Sequence, residues 1–138
     1  MEFFVFDTNI LLSAIFNGNS TPGLALKKAR TIGALLISDE IVSEYLVVFA
    51  REKFNKWLSL KTRIEFIENI ITNALPIQIF EKVVACRDPK DDKYLSLAKT
   101  AQADCIVSGD HDLLVLNPFE NIPIYDAADF LKELAMRR

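Results

Sequence analysis

Short runs of apolar residues alternate along this chain with longer segments in which apolar residues recur at helical spacing. The short runs are rich in strand-forming residues and are bounded by polar or turn residues, which predicts buried strands. The predicted strands are residues 3–6, 34–37, 76–80, 105–108 and a short edge strand within 121–125. Pro123 is compatible with this last segment only at the edge of a sheet, where its missing N–H is tolerated.

The intervening segments predict amphipathic helices. The clearest places Ile41, Tyr45, Val48 and Phe49 on one face, after a capping residue at Ser38 or Asp39. The predicted helices cover about residues 7–16, 22–31, 39–49, 55–73, 91–101 and 126–136. Strands that alternate with helices in this way predict a three-layer α/β/α domain, with a central parallel sheet of about five strands, over residues 1–138.

Composition narrows the class of protein without identifying it. The chain has 138 residues, and 51% of them are hydrophobic, which argues against disorder. The net charge is -3, and the sequence has no long basic tail of the kind that binds nucleic acid. Its two cysteines, Cys86 and Cys105, do not form a CxxC pair, which favours a reducing compartment. Neither a signal peptide nor an apolar run of membrane-spanning length is evident, so we expect a cytoplasmic protein.

Acidic residues follow the predicted strands or lie in the helices next to them. They are Asp7, Glu44, Asp91, Asp92, Asp110 and Asp112. In a parallel α/β sheet the carboxyl ends of the strands meet at one edge, where ligands bind. Carboxylates gathered there repel one another unless a cation is present, and Mg²⁺ and Mn²⁺ prefer oxygen ligands. The pattern therefore indicates a metal site suited to phosphoryl chemistry.

Each acidic residue taken alone also has an ordinary structural explanation. Asp7 could cap a helix, Asp91 or Asp92 could supply a helix N-terminal charge, and Asp110 and Asp112 could belong to a turn. Only their common position favours a metal site, and the sequence leaves open which residue of each close pair is a ligand. His111, the single histidine, lies in a predicted loop, and we do not expect it to be catalytic.

These motifs together resemble those of a known family. Asp7-Thr8-Asn9 follows the first strand, a glutamate lies within the third helix, an Asp-Asp pair begins a later helix, and Ser108-Gly109-Asp110 follows the fourth strand. The whole chain resembles the PIN domain superfamily of metal-dependent ribonucleases, and more closely its VapC-like toxins. The resemblance implies hydrolysis of RNA phosphodiester bonds with Mg²⁺ or Mn²⁺, a small antitoxin partner and a homodimer.

The resemblance also implies roles for individual residues. The predicted catalytic metal ligands are Asp7, Glu44, Asp92 and Asp110. Additional ligands, or residues that position the ligands, are expected among Asn9, Asp91, Ser108 and Asp112. Candidates for RNA contact are Arg87, Lys90 and Lys93, which flank the Asp-Asp pair, and a second basic stretch, Arg51, Lys53, Lys56, Lys61 and Arg63, which surrounds Trp57.

Competing interpretations fit the residues less well. A haloacid-dehalogenase-like phosphatase needs a second acid two positions after the first, where this chain has Asn9. A response-regulator receiver domain needs an acidic pair after the first strand, and a dinucleotide-binding domain needs GxGxxG there. The remaining alternative is a catalytically silent PIN-like domain that binds RNA or protein.

Overall fold

Five parallel strands form the central sheet of the computed structural model, which describes residues 1–136. The strands are β1 (Glu2–Phe6), β2 (Gly33–Ile37), β3 (Leu75–Pro76), β4 (Cys105–Val107) and β5 (Ile124–Tyr125). Their order across the sheet is β3-β2-β1-β4-β5. Every pairing is parallel, so all five carboxyl ends lie at the same edge.

Helices connect the strands and cover the sheet. They are α1 (Thr8–Phe16), α2 (Thr21–Ile32), α3 (Asp39–Phe49), α4 (Leu60–Asn73), α5 (Asp92–Ala101), α6 (His111–Leu114) and α7 (Ala127–Met136). Two single 3₁₀ turns lie at Glu52–Phe54 and Pro89–Asp91. The predicted three-layer α/β/α fold with a parallel sheet of about five strands is confirmed.

The central strand β1 is buried on both faces. Phe4 and Phe6 point to one face, where their rings meet the ring of Phe130 on α7 edge-on, at centroid distances of 5.3 and 6.0 Å. Val5, between them, points to the opposite face and is fully buried. This packing explains why the first strand is a continuous apolar run that ends abruptly at a carboxylate, since only the end of the strand leaves the core.

The third strand is shorter than its apolar pattern predicts. The sequence predicts a strand over residues 76–80, but pairing with β2 stops at Pro76. Ile77 N–H still donates to Ile37 O at 2.8 Å, after which the chain leaves the sheet and Phe80 is 84% exposed. Because β3 lies at the edge of the sheet, it pairs with only one other strand. An alternating apolar pattern does not show where that pairing ends, so it overestimates the length of the strand.

A buried arginine holds the connection between α3 and α4. Arg63 on α4 is fully buried, and its Nε donates to Phe49 O at 2.8 Å. Its two terminal nitrogens donate to the carbonyl oxygens of Leu58 and Arg51 and to Asn55 Oδ1. The five donors of a guanidinium suit this collection of acceptors. The expectation that Arg63 belongs to an exposed basic stretch is therefore wrong.

Replacing Arg63 by Met should lower the free energy of unfolding by about 2–4 kcal/mol, because several buried carbonyl oxygens would lose their donor. Arg63→Lys should also destabilise the protein, since one ammonium cannot reach acceptors on opposite sides of the connection. Urea unfolding followed by circular dichroism measures both effects.

Lys61→Met is the matched control, because Lys61 is exposed on the same helix. Its effect should stay within about 0.5 kcal/mol. An Arg63→Met variant that unfolds at the wild-type urea concentration would show that the connection does not depend on this side chain.

Candidate metal and RNA-cleavage site

Pairing between β1 and β4 brings the first pair of polar side chains together. Phe6 is in register with Val107, so Asp7 and Ser108 leave adjacent strands side by side. Ser108 Oγ donates to Asp7 Oδ2 at 2.6 Å, and Asn9 N–H donates to Asp7 Oδ1 at 3.1 Å. Asp7 therefore caps α1, as its ordinary explanation requires, and at the same time it faces the neighbouring strand.

The Asp7 carboxyl is in an environment that disfavours its charge. It is 5% exposed. Burial raises the pKa of this carboxyl above its usual value, and the negative charges of Asp110 and Glu44 act in the same direction. The hydrogen bonds from Ser108 and Asn9 lower the pKa but do not cancel the effect of burial. A cation at this position would remove the conflict.

Asp110 is joined to Asp7 through the same serine. Asp110 N–H donates to Ser108 Oγ at 2.9 Å. Asp110 Oδ1 accepts the N–H of Asp112 at 2.9 Å and so caps the short helix α6. The Ser-Gly-Asp motif thus positions the Asp7 carboxylate through the hydroxyl of Ser108, and the Asp110 carboxylate through the turn that follows.

Three carboxylates converge next to this pair. One oxygen from each of Asp91, Asp110 and Asp112 lies within 4.8 Å of the other two. All three side chains are partly buried. The donor set consists only of carboxylate oxygens, which fits Mg²⁺ or Mn²⁺ and does not suit softer ions.

Asp91 is the most strongly perturbed acid in this group. Partial burial, a hydrogen bond with Asp110 and the charge of Asp110 raise the pKa of its carboxyl to about 7, and the charge of Asp7 adds to the effect. Without a metal, the Asp91 carboxyl is therefore only partly ionised at neutral pH. Crowding of this kind is what a bound divalent cation relieves.

Asp92 has a different environment from Asp91. Asp92 Oδ1 accepts the N–H groups of Ala85 at 3.0 Å and Cys86 at 2.7 Å. Burial favours its neutral form, but these bonds outweigh burial and lower the pKa of the carboxyl. The structure therefore brings Asp91, and not Asp92, together with Asp110. Successive side chains on a helix diverge by about 100°, so only one of the two can face the cluster.

Glu44 on α3 is held firmly by three neighbours. Its Oε2 accepts the hydroxyl of Thr8 at 2.6 Å and also that of Tyr94. Its Oε1 lies 2.9 Å from Lys93 Nζ. Burial favours the neutral form of Glu44, but the hydrogen bonds from Thr8, Tyr94 and Lys93 lower the pKa of the carboxyl below its usual value.

Sequence reasoning did not find two of these neighbours. Tyr94 fits the apolar repeat of α5 and is almost fully buried, so its hydroxyl is invisible to a pattern of apolar positions. Thr8 lies inside the Asp-Thr-Asn motif, and its position next to Asp7 was the only indication in the sequence that it belongs to the site. Together they fix Glu44 close enough to Asp7 for the two charges to interact.

The predicted RNA-contacting cations differ in their exposure. Arg87 is 88% exposed at the side chain, with Nε 3.4 Å from Asp112 Oδ1, and Lys90 is exposed. The side chain of Lys93 is only 9% exposed, because its ammonium is directed at Glu44. Its pairing with Glu44 distinguishes Lys93 from the two exposed cations. Contact of RNA with Lys93, as with Arg87 and Lys90, stays a prediction.

The remaining candidates lie at the margin of the site. Asn9 is exposed, and its backbone N–H makes the bond to Asp7. His111 is exposed at the start of α6.

Within residues 1–136, no helix is long and apolar enough to cross a membrane.

Comparison with solved structures agrees on the fold. A chain of the VapBC2 structure from Rickettsia felis, bound to a promoter DNA fragment, superposes with a TM-score of 0.62 at 13% identity, over 90% of this chain and 98% of that one. VapC20 of Mycobacterium tuberculosis, described as a toxin that cleaves the sarcin-ricin loop, superposes with a TM-score of 0.54 at 10% identity, over 87% of this chain and 98% of that one.

Sequence comparison identifies the family directly. An uncharacterized protein of Methanocaldococcus jannaschii is 31% identical in an alignment 122 residues long, which covers 81% of this chain and 73% of that protein. The family model described as the PIN domain matches residues 4–112, from the first strand to the acidic turn after β4. The chain belongs to the PIN domain family.

Proposed function

We propose that this protein is a metal-dependent endoribonuclease, which hydrolyses RNA phosphodiester bonds at the acidic edge of the sheet. The observation that carries the proposal is the convergence of Asp91, Asp110 and Asp112 within 4.8 Å, next to the buried Asp7. So many carboxylates in one place are suited to holding a divalent cation close to a phosphate.

In this proposal Asp7, Asp91 and Asp110 hold Mg²⁺ or Mn²⁺, and Asp112 is an additional ligand. Asp91 replaces Asp92 in the ligand set, because the Asp92 carboxylate accepts two backbone N–H groups instead of facing the cluster. A bound Mg²⁺ or Mn²⁺ would lower the pKa of a water molecule and neutralise charge on the scissile phosphate.

The residues around the ligands position them and balance their charge. Ser108 fixes the orientation of the Asp7 carboxylate through its hydroxyl. Thr8 and Tyr94 hold Glu44 as a charged carboxylate, and its second oxygen pairs with Lys93. The buried ammonium of Lys93 offsets negative charge where an anionic substrate must approach.

We also propose that the protein acts as the toxin of a toxin–antitoxin pair, with a small protein partner and a homodimeric state. The fold shared with VapBC2 and VapC20 supports this role. An apolar surface cluster, in which Phe16 and Trp57 are exposed and Phe54 and Leu58 are partly buried, offers a surface for a protein contact. A small open reading frame directly upstream, whose product co-purifies with this chain, tests the assignment.

Substitution of single carboxylates should separate Asp91 from Asp92. Asp7→Asn and Asp91→Asn should each lower cleavage of a panel of defined RNAs by about 100-fold or more, because each removes a metal ligand. Asp92→Asn should retain most of the cleavage per folded molecule, although it weakens the bonds to residues 85 and 86. Cleavage is measured with Mn²⁺ and with chelator.

Full activity of Asp91→Asn together with loss of activity in a folded Asp92→Asn variant would reverse this assignment. A wild-type protein that binds Mn²⁺ but leaves every RNA of the panel intact would instead favour the catalytically silent binding module.

The Asp91 carboxyl should contribute less to the stability of the metal-free protein as the pH rises. The pKa of Asp91 is raised from 3.8 to about 7 by folding, so the stability that its neutral form contributes is fully present below about pH 4 and is lost as the pH rises through about 7. Asp91→Asn removes this titration. In EDTA, the Tm of the variant should exceed that of the wild type at about pH 8, and the difference should shrink towards about pH 4.

Thermal unfolding by circular dichroism, with and without Mn²⁺, measures this effect. Mn²⁺ should raise the Tm of the wild type and leave that of Asp91→Asn nearly unchanged, because only the wild type retains the site. Parallel pH profiles for the two proteins in EDTA would mean that Asp91 is not crowded by its neighbours.

A further inference from the structure

A second concave surface lies at the carboxyl ends of β2 and β3. This β2–β3 cavity has a volume of about 540 Å³ and is bounded by the first turn of α3, by residues 76–79 and by Lys82. Its polar walls include Asp39, Glu40, Gln78 and Lys82, and its apolar walls include Ile77 and Ile79. A cavity of this size is in the range that encloses a small organic group, and its mixed lining is typical of a binding site.

The cavity adjoins the acidic site through one shared side chain. Lys93 lines the cavity, and its Nζ pairs with Glu44 Oε1 at 2.9 Å. The strand β2 is also the immediate neighbour of β1, which carries Asp7 at its end. A strand of RNA whose phosphodiester lies at the carboxylate cluster therefore has the β2–β3 cavity within reach of a neighbouring nucleotide.

The charges of the cavity are suited to a base and not to a phosphate. Each lysine already faces a carboxylate, since Lys82 Nζ lies 3.9 Å from Glu40 Oε1 and Lys93 pairs with Glu44. Asp39 and Gln78 add hydrogen-bond acceptors, and Ile77 and Ile79 supply apolar surface. Carboxylate and amide oxygens accept hydrogen bonds from the exocyclic amino groups of cytosine, adenine and guanine, each of which offers two N–H donors, whereas uracil offers only its single ring N3–H.

We propose that the β2–β3 cavity binds one base of the RNA, next to the scissile phosphodiester, and prefers amino-bearing bases to uracil. Single-stranded RNA is commonly recognised through bases that are splayed out of the strand and read along their hydrogen-bonding edges. The proposal rests on the proposed ribonuclease function and adds to it a place on the protein where sequence preference arises.

Binding of labelled oligonucleotides tests the proposal without any cleavage. Fluorescence anisotropy is measured in EDTA with two single-stranded RNA nonamers, oligocytidylate and oligouridylate. The wild type should bind oligocytidylate about 10-fold more tightly, in line with the discrimination that one base contact provides. The double variant Asp39→Ala/Gln78→Ala should lose this preference and keep the wild-type affinity for oligouridylate.

Both substituted side chains are exposed, so the variant should fold, and its Tm is checked. Glu68→Gln, an exposed substitution on α4 outside the cavity, is the matched control and should retain the preference. Equal wild-type affinity for the two RNAs, no binding of oligocytidylate, or a preference that survives in the double variant would each overturn the base site.

Cleavage assays on the same RNAs distinguish failure of the ribonuclease proposal from failure of the base site. If the wild type binds the nonamers but cleaves neither of them, nor any RNA of the panel, when Mn²⁺ is added, the ribonuclease proposal fails whatever the base preference. If it cleaves RNA without distinguishing the two nonamers in binding, the ribonuclease proposal stands and only the base site is lost.

Discussion

Repulsion between carboxylates held at one edge of a parallel sheet is the constraint on which the architecture of this protein depends. The pairing of β1 with β4 places Asp7 beside Ser108 and, through the following turn, beside Asp110. The residue that precedes α5, Asp91, and Glu44 of α3 add two more carboxylates. Strong apolar packing of β1 against Phe130 keeps the strand, and with it Asp7, in this unfavourable position.

The chain reduces this repulsion without removing it. Hydroxyl groups and one buried ammonium fix Glu44 as an anion, and Arg87 lies close to Asp112. Among residues 1–136, no cation or hydroxyl compensates Asp91 in a comparable way, and its pKa stays raised. The least compensated part of the edge is thus the part where three carboxylates converge, which is the arrangement expected if function requires a cation there.

The sequence predicts this edge well because parallel topology follows from the alternation of strands and helices. Once strands one and four are recognised, Asp7, Ser108 and Asp110 must lie near one another. The choice between Asp91 and Asp92 needs the exact phase of a helix that begins at that point, and a pattern of apolar residues locates a helix start only within a residue or two. The burial of Arg63 and of the Lys93 ammonium was equally absent from the apolar pattern, because both depend on acceptors outside the helix that carries the side chain.

The most direct measurement for the central claim is anomalous X-ray diffraction from crystals of the protein soaked in Mn²⁺. We predict a single anomalous peak, or a close pair of peaks, bonded to carboxylate oxygens of Asp91 and Asp110 and adjacent to Asp7. Crystals that show no anomalous peak at this edge at saturating Mn²⁺, or a peak bonded to Asp92 and not to Asp91, would contradict the account.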